Sequence, residues 1–224
     1  MKFIPRIVTA ALLFTIGAAQ AGVVVGGTRL IYDGNKKEAS LNVSNPDKVP
    51  YLIQSWVETT GDAAEKAPFM VTPPLFRLDG GQDNVLRVVR AGGNLSNSQE
   101  TLYWLNIKSI PSAPKLEGKN TLQIAVKTRI KLIFRPQGLN GVPEDVANSL
   151  KWKRNGNQLQ VTNPTPFYMN FQSVEVGGKE VKDVTYVAPM SSASFALPAA
   201  SSGNVQWKII SDYGGIGEPH TSTL

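Results

Sequence analysis

The 224-residue sequence contains no cysteine and one histidine. The first absence excludes a disulfide scaffold, a thiol nucleophile and any cysteine-ligated zinc or iron–sulfur site. The second excludes a histidine-cluster metal site, because His220 stands alone near the C-terminal end. Beyond the N-terminal segment no run stays apolar for the roughly 20 residues that a helical membrane span needs, so no stable membrane insertion is expected. Helical periodicity is scarce. The G-x-S-x-G, P-loop and H-E-x-x-H signatures are all missing. Gly26-Gly27 is a glycine pair without the rest of a dinucleotide fingerprint, and the acidic pair Glu144-Asp145 falls in an expected solvated loop. An acid–base enzyme would have to rely on Asp, Glu, Lys or Tyr. The expectation is a protein that is not an enzyme, with no cofactor and no metal.

Lys and Arg number 23 against 17 Asp and Glu, a net charge of +6. That excess favours an anionic partner without naming one, and no nucleic-acid partner is expected. The N-terminus has a recognisable pattern: Lys2 and Arg6, then a nearly uninterrupted apolar stretch from Ile7 to Ala18, then Ala19-Gln20-Ala21. An apolar core of about a dozen residues is too short to span a bilayer and closes on an A-x-A site. Residues 1–21 are therefore expected to be a cleaved export signal.

After that segment the recurring pattern is short alternation broken by Gly, Pro, Asn and Asp, as in antiparallel β proteins. The expected strands of a first set are Val23–Arg29, Glu38–Asn45, Tyr51–Glu58, Phe69–Thr72, Asn84–Val89, Glu100–Ile110 and Thr121–Phe134. A second set comprises Leu150–Arg154, Gln158–Asn163, Met169–Val176, Val184–Val187, Ser194–Ala196 and Val205–Ser211. The proline- and glycine-rich stretch Arg135 to Pro143 reads as a linker between them. The fold class is thus all-β, with two Ig-like sandwiches at 22–138 and 139–224. Trp56, Trp104, Trp152 and Trp207 fall in expected strands, where core packing is their simplest role.

The run from Thr121 to Phe134 is long for a strand, whose usual length is about 5–6 residues. Leu122, Ile124, Val126, Thr128, Ile130, Leu132 and Phe134 form one apolar ridge, opposite Thr121, Gln123, Lys127, Arg129 and Lys131. It would reach roughly 45 Å at about 3.4 Å per residue. Either the whole ridge lines its own core, or its first part extends past that core and offers alternate side chains to another chain by β-augmentation.

Several stretches carry a family pattern: Thr28-Arg29 before Tyr32-Asp33-Gly34, Leu41 to Asn45, Pro50 to Val57, Thr72-Pro73-Pro74 with Arg77-Leu78, and Tyr103 to Ile107 with Ile110-Pro111. The pattern continues through Leu122-Gln-Ile-Ala and Arg129 to Pro136, then Asn163 to Tyr168, and Asp212-Tyr213-Gly214-Gly215. In this order the sequence resembles the periplasmic pilus (fimbrial) assembly chaperones, the PapD-like proteins. The resemblance implies two Ig-like domains set in an L or boomerang. Their cleft would anchor the C-terminal carboxylate of a pilus subunit through Arg29 and Lys131. It also implies donor-strand complementation, in which Leu122, Ile124 and Val126 fill the groove of an incomplete subunit that is then delivered to an outer-membrane usher. A charged group of Arg87, Glu100 and Asp212 would tie the domains together, and Val23 and Val25 would offer a second contact edge or pack inward. The short loop from Ser112 to Asn120 resembles the short-loop subclass, and the brief tail after Gly215 implies an abbreviated or missing final strand. A free molecule of this kind has an apolar edge to protect, and self-association is one way to do so. The competing readings are a pilus subunit or adhesin, normally one incomplete sandwich, and a secreted carbohydrate-binding module or hydrolase, which would show exposed aromatics or paired carboxylates.

Overall fold

The computed structural model describes residues 22–61, 66–112 and 122–224. The expected export signal and most of the loop before the long strand lie outside the described residues.

The first sandwich contains β1 (Val24–Val25), β2 (Arg29–Asp33), β3 (Glu38–Ser44), β4 (Tyr51–Thr59), β5 (Phe69–Thr72), β6 (Leu75–Leu78), β7 (Asp83–Arg90), β8 (Thr101–Pro111) and β9 (Val126–Arg135). One sheet runs β1-β3-β7-β5 and the other β2-β9-β8-β4-β6. The strand expected at Val23–Arg29 is divided between them. β1 pairs with β3, while β2 lies parallel to β9. The chain changes sheets at Gly26-Gly27, where a Cβ on Gly26 would stand 3.1 Å from the Asn42 carbonyl oxygen. β6 was not expected, because Leu75 to Leu78 sits between two prolines and an Asp-Gly turn. The long strand begins at Val126, several residues later than the alternation suggested.

The second sandwich follows a 3₁₀ helix at Pro143–Ser149. It contains β10 (Lys151–Asn155), β11 (Gln158–Asn163), β12 (Met169–Val176), β13 (Lys179–Glu180), β14 (Tyr186–Val187), β15 (Ser191–Ala196), β16 (Val205–Ile209) and β17 (His220–Ser222). Its sheets are β10-β11-β15 and β13-β12-β16-β17, with β14 on β12. The final strand is present in abbreviated form.

Each sandwich has its own interior. Leu41, Val43, Ile53, Leu86, Val88, Leu105 and Leu132 are among the residues that fill the first, at alternate strand positions. Trp152 and Trp207, with ring centroids 5.3 Å apart, anchor the second together with Leu159, Val161 and Val174. A buried asparagine before a proline pins a loop in each domain. The Asn45 side-chain amide donates to the carbonyls of Val49, Leu78 and Asp79, and the Asn163 amide to those of Phe167 and Ala188. Both amides satisfy backbone groups that the turns leave unpaired.

Candidate functional site

Strand alternation divides β9 into two halves with different surroundings. Ile130, Leu132 and Phe134 belong to the first core, exposed by only 6%, 0% and 3%. Leu122, Ile124 and Val126 continue the same parity, yet they are 88%, 65% and 55% exposed. The ridge therefore does not line its own core throughout. Leu122 to Ala125 lie in no strand, and the Gln123 side-chain amide donates to the Pro111 carbonyl. β9 pairs with β8 from Val126 to Phe134, but with β2 only from Lys131 to Arg135. Among the described residues, no strand lies along the other edge of Val126 to Ile130. That edge keeps unpaired backbone donors and acceptors beside a row of exposed aliphatic side chains.

The open edge ends at a pair of cations. Arg29, the first residue of β2, is the register partner of Lys131 on β9. Both have the parity opposite to the core, so their side chains leave the outer face of the sheet toward the second domain. Lys131 Nζ donates to Asn170 Oδ1 at 2.5 Å and stands 4.6 Å from the centroid of the Tyr186 ring. Arg29 Nη1 donates to the Ile210 carbonyl at 3.2 Å, while its Nε is buried with no partner. Burial, and then the neighbouring Arg29, lower the Lys131 pKa to about 8. Burial also lowers that of Arg29, opposed by Asp212 and Glu144. Two cations held at low solvation repel each other, and an entering carboxylate would relieve both the repulsion and the missing solvation.

The interdomain charged group is centred on Arg135 and not on Arg87. Arg135 donates to Asp212 through both terminal nitrogens, at 2.7 and 2.9 Å, and through Nε to Glu100 at 2.8 Å. The second Glu100 oxygen accepts the Tyr168 backbone N–H at 2.7 Å. Burial raises the Glu100 pKa, and Arg135 pulls against that rise. Arg87 lies on β7, in the opposite sheet, where it approaches Glu38 at 3.7 Å on the solvent side. Glu100 and Asp212 are thus brought together as expected, by a different arginine. The overlooked signal was parity: Arg135 follows Lys131 by two residue pairs of alternation on the same outer face.

Other expectations also changed. Val23 and Val25 pack against the first core, which favours their inward role. Trp152 and Trp207 are core residues, but Trp56 and Trp104 are only half-buried and lie under Lys127 and Arg129, with cation-to-centroid distances of 5.2 and 4.4 Å. Glu144 is not simply solvated, since its Oε2 is buried without a partner. A cavity of about 450 Å³ flanks the cleft, lined by Arg29, Asp33, Lys36, Arg135, Asp212 and Tyr213. Gly214, next in sequence to Tyr213, has φ +83°, and a Cβ there would meet Thr28 Oγ1 at 2.8 Å. The larger cavity, about 740 Å³, is lined by Trp56, Phe69, Met70 and Arg129, and Lys131 is not part of its lining. Asn170 and Tyr186 were missed altogether, since nothing in a single sequence tells which second-domain strand faces Lys131.

Residues 22–140 match the family profile described as pili and flagellar-assembly chaperone, PapD N-terminal domain. Residues 145–221 match pili assembly chaperone PapD, C-terminal domain. The chain is 44% identical over 207 residues to the probable fimbrial chaperone LpfB of Escherichia coli O157:H7, covering 91% of this chain and 89% of that one. It is 38% identical to the chaperone protein FimC of Escherichia coli K12, with 95% and 88% covered. A chain of the Salmonella enterica complex between the SafA pilin and the SafB chaperone superposes with a TM-score of 0.86 at 42% identity, over 93% of this chain and 99% of that one. The Escherichia coli chaperone DraB gives a TM-score of 0.82 at 44% identity, over 91% and 96%.

Proposed function

Because the chain belongs to the PapD family of pilus-assembly chaperones, we propose that it caps pilus subunits in the periplasm by lending them a strand. It then hands them to an outer-membrane usher. Export would use residues 1–21 as a cleaved signal. The observation that carries the reading is the exposed Leu122, Ile124 and Val126 running into an edge that ends at Arg29 and Lys131. A subunit lacking its last strand exposes its own core, and these three side chains would fill that groove. Each aliphatic chain buried contributes about 1.5–3 kcal/mol, and each main-chain bond about 1 kcal/mol, against several kcal/mol lost on association. Capping therefore needs neither a nucleotide nor a cofactor.

The vacant position is collinear with β2, so an incoming strand would continue β2 backwards along β9. Its end would then meet Arg29. A pair of cations there accepts a C-terminal carboxylate and repels an amino terminus, which sets the incoming strand parallel to β9. The SafB relative is found with a pilin, which supports a subunit as the partner. The test is co-expression with candidate subunits and their recovery from the periplasm. Arg29→Ala and Lys131→Ala should give folded protein without recovered subunit. Normal recovery by both variants would overturn the anchoring role.

A further inference from the structure

The cations of the cleft are not isolated on their sheet. On the outer face, Lys131 is followed at alternate positions by Arg129 and Lys127, which lie alongside the open edge. The neighbouring strand adds to the charge: Lys108 of β8 is the direct register partner of Lys127. Like charges directly opposite one another across an antiparallel pair are destabilising. Further along, Lys131 has Arg29 as its partner on the other side. In the rows that join these positions to β4, one carboxylate is present: Glu58, 4.0 Å from Lys127 and 3.6 Å from Arg129. One acid thus serves two cations, while Lys108, Lys131 and Arg29 gain nothing from it in these contacts.

Packing holds the two middle cations in place. Lys127 and Arg129 rest on the Trp56 and Trp104 rings and remain close to half-exposed, at 44% and 45%. Aromatic support keeps a cation close to the sheet without neutralising it. The result is a positive stripe with a repeat of about 6.7 Å, two residues of strand. It borders the place where a visiting strand would lie.

We infer that this stripe is a specificity-determining surface, and that it selects subunits whose last strand carries Asp or Glu on its outward face, upstream of the terminal carboxylate. The inference rests on the capping role proposed above and deepens it. A strand paired to the open edge would sit about 4.8 Å from β9. Its outward residues would face Arg129 and Lys127, while its inward residues continue the apolar layer. Acidic residues at those outward positions answer the surplus charge. Lys or Arg there would add to repulsion already present within the sheet.

The probes are synthetic peptides that alternate Val with Asp and end in a free carboxylate, made in two registers, one ending on Val and one on Asp. Counterparts replace Asp by Asn, or amidate the C-terminus. Titrated into the mature protein at low salt, the better Asp register should bind about tenfold more tightly than its Asn counterpart, and the difference should shrink at high salt. In Lys127→Gln/Arg129→Gln, shown to be folded by its unfolding midpoint, the Asp and Asn peptides should bind equally. Equal binding to the unaltered protein would overturn the inference, as would an Asp preference that survives the double substitution. Flotation with phosphatidylglycerol vesicles, lost in the double variant and unaccompanied by an Asp preference, would assign the stripe to a membrane surface and overturn it too. Amidated peptides that bind as well as free acids would overturn the Arg29–Lys131 anchor and leave the acidic preference standing. Failure of every peptide to bind would overturn both.

Discussion

Arg29 and Lys131 face each other across the parallel β2–β9 ladder, so the first domain presents two adjacent cations to the cleft. The second domain receives them: Asn170 and Tyr186 hold Lys131, and the Ile210 carbonyl holds Arg29. The pair is therefore held at low solvation with its two charges in mutual repulsion, and in the proposed anchoring role an entering carboxylate would relieve both.

The pH dependence follows from Lys131, whose pKa is lowered to about 8. Since burial disfavours its charged form, the unfolded chain holds more protons between about 8 and the usual lysine value, and stability rises with pH across that window. Binding of a carboxylate shows the opposite trend. It favours the protonated lysine, so affinity should be flat below about pH 7 and fall by about tenfold per unit above about 8. Titration calorimetry with a free-carboxylate peptide checks this. Lys131→Arg should remove the fall, because a guanidinium stays charged throughout.

Asn170 and Tyr186 both favour the charged form of Lys131. Removing either by Asn170→Ala or Tyr186→Leu should move the lysine midpoint below about 8. Carboxylate affinity should begin to fall at correspondingly lower pH. An NMR titration of the lysine side chain reads the midpoint directly, and an unmoved value would deny these residues their positioning role.

Arg135 and Arg87 separate a domain clamp from a surface pair. Arg135 is 13% exposed beside Glu100 at 1%, whereas Arg87 is 62% exposed. Arg135→Ala would strand two carboxylates in the interface and should destabilise the protein by about 3–5 kcal/mol. Arg87→Ala should stay within about 0.5 kcal/mol. Denaturant melts distinguish the two.

Leu122 and Ile124 contribute nothing to the free fold at their exposure. Leu122→Ser and Ile124→Ser should leave the unfolding free energy within about 0.5 kcal/mol of the parent. Subunit recovery from the periplasm should nevertheless drop sharply, because the groove would receive a hydroxyl in place of an aliphatic chain.

Much of the fold was legible because local alternation reports strands well where one face is buried. β5, β11 and β12 coincide with their expected ranges, and β3 and β4 nearly so. The division of Val23–Arg29 between two sheets was not legible, since a crossover is a tertiary event marked only by Gly26-Gly27. The late start of β9 had the same origin: alternation shows which side chains share a face, not whether a neighbouring strand exists to pair with them. Arg29, Lys131, Glu100 and Asp212 could be named from motifs. Extending the parity of Lys131 reaches Arg135, but the prolines and glycines that follow it make the same residue read as the start of the linker. Trp56 and Trp104 show a related limit. A tryptophan in a strand is equally compatible with the core and with an outer face where it supports a cation.

Amide hydrogen exchange across residues 122–130 tests the lent strand edge most directly. In the free protein, Leu122 to Ala125 and the amides of Val126 to Ile130 that point away from β8 should exchange rapidly. In a purified complex with a cognate pilus subunit they should become strongly protected, while Leu132 to Arg135 stay protected in both states. Protection of the whole stretch in the free chain, or none gained in the complex, would contradict it.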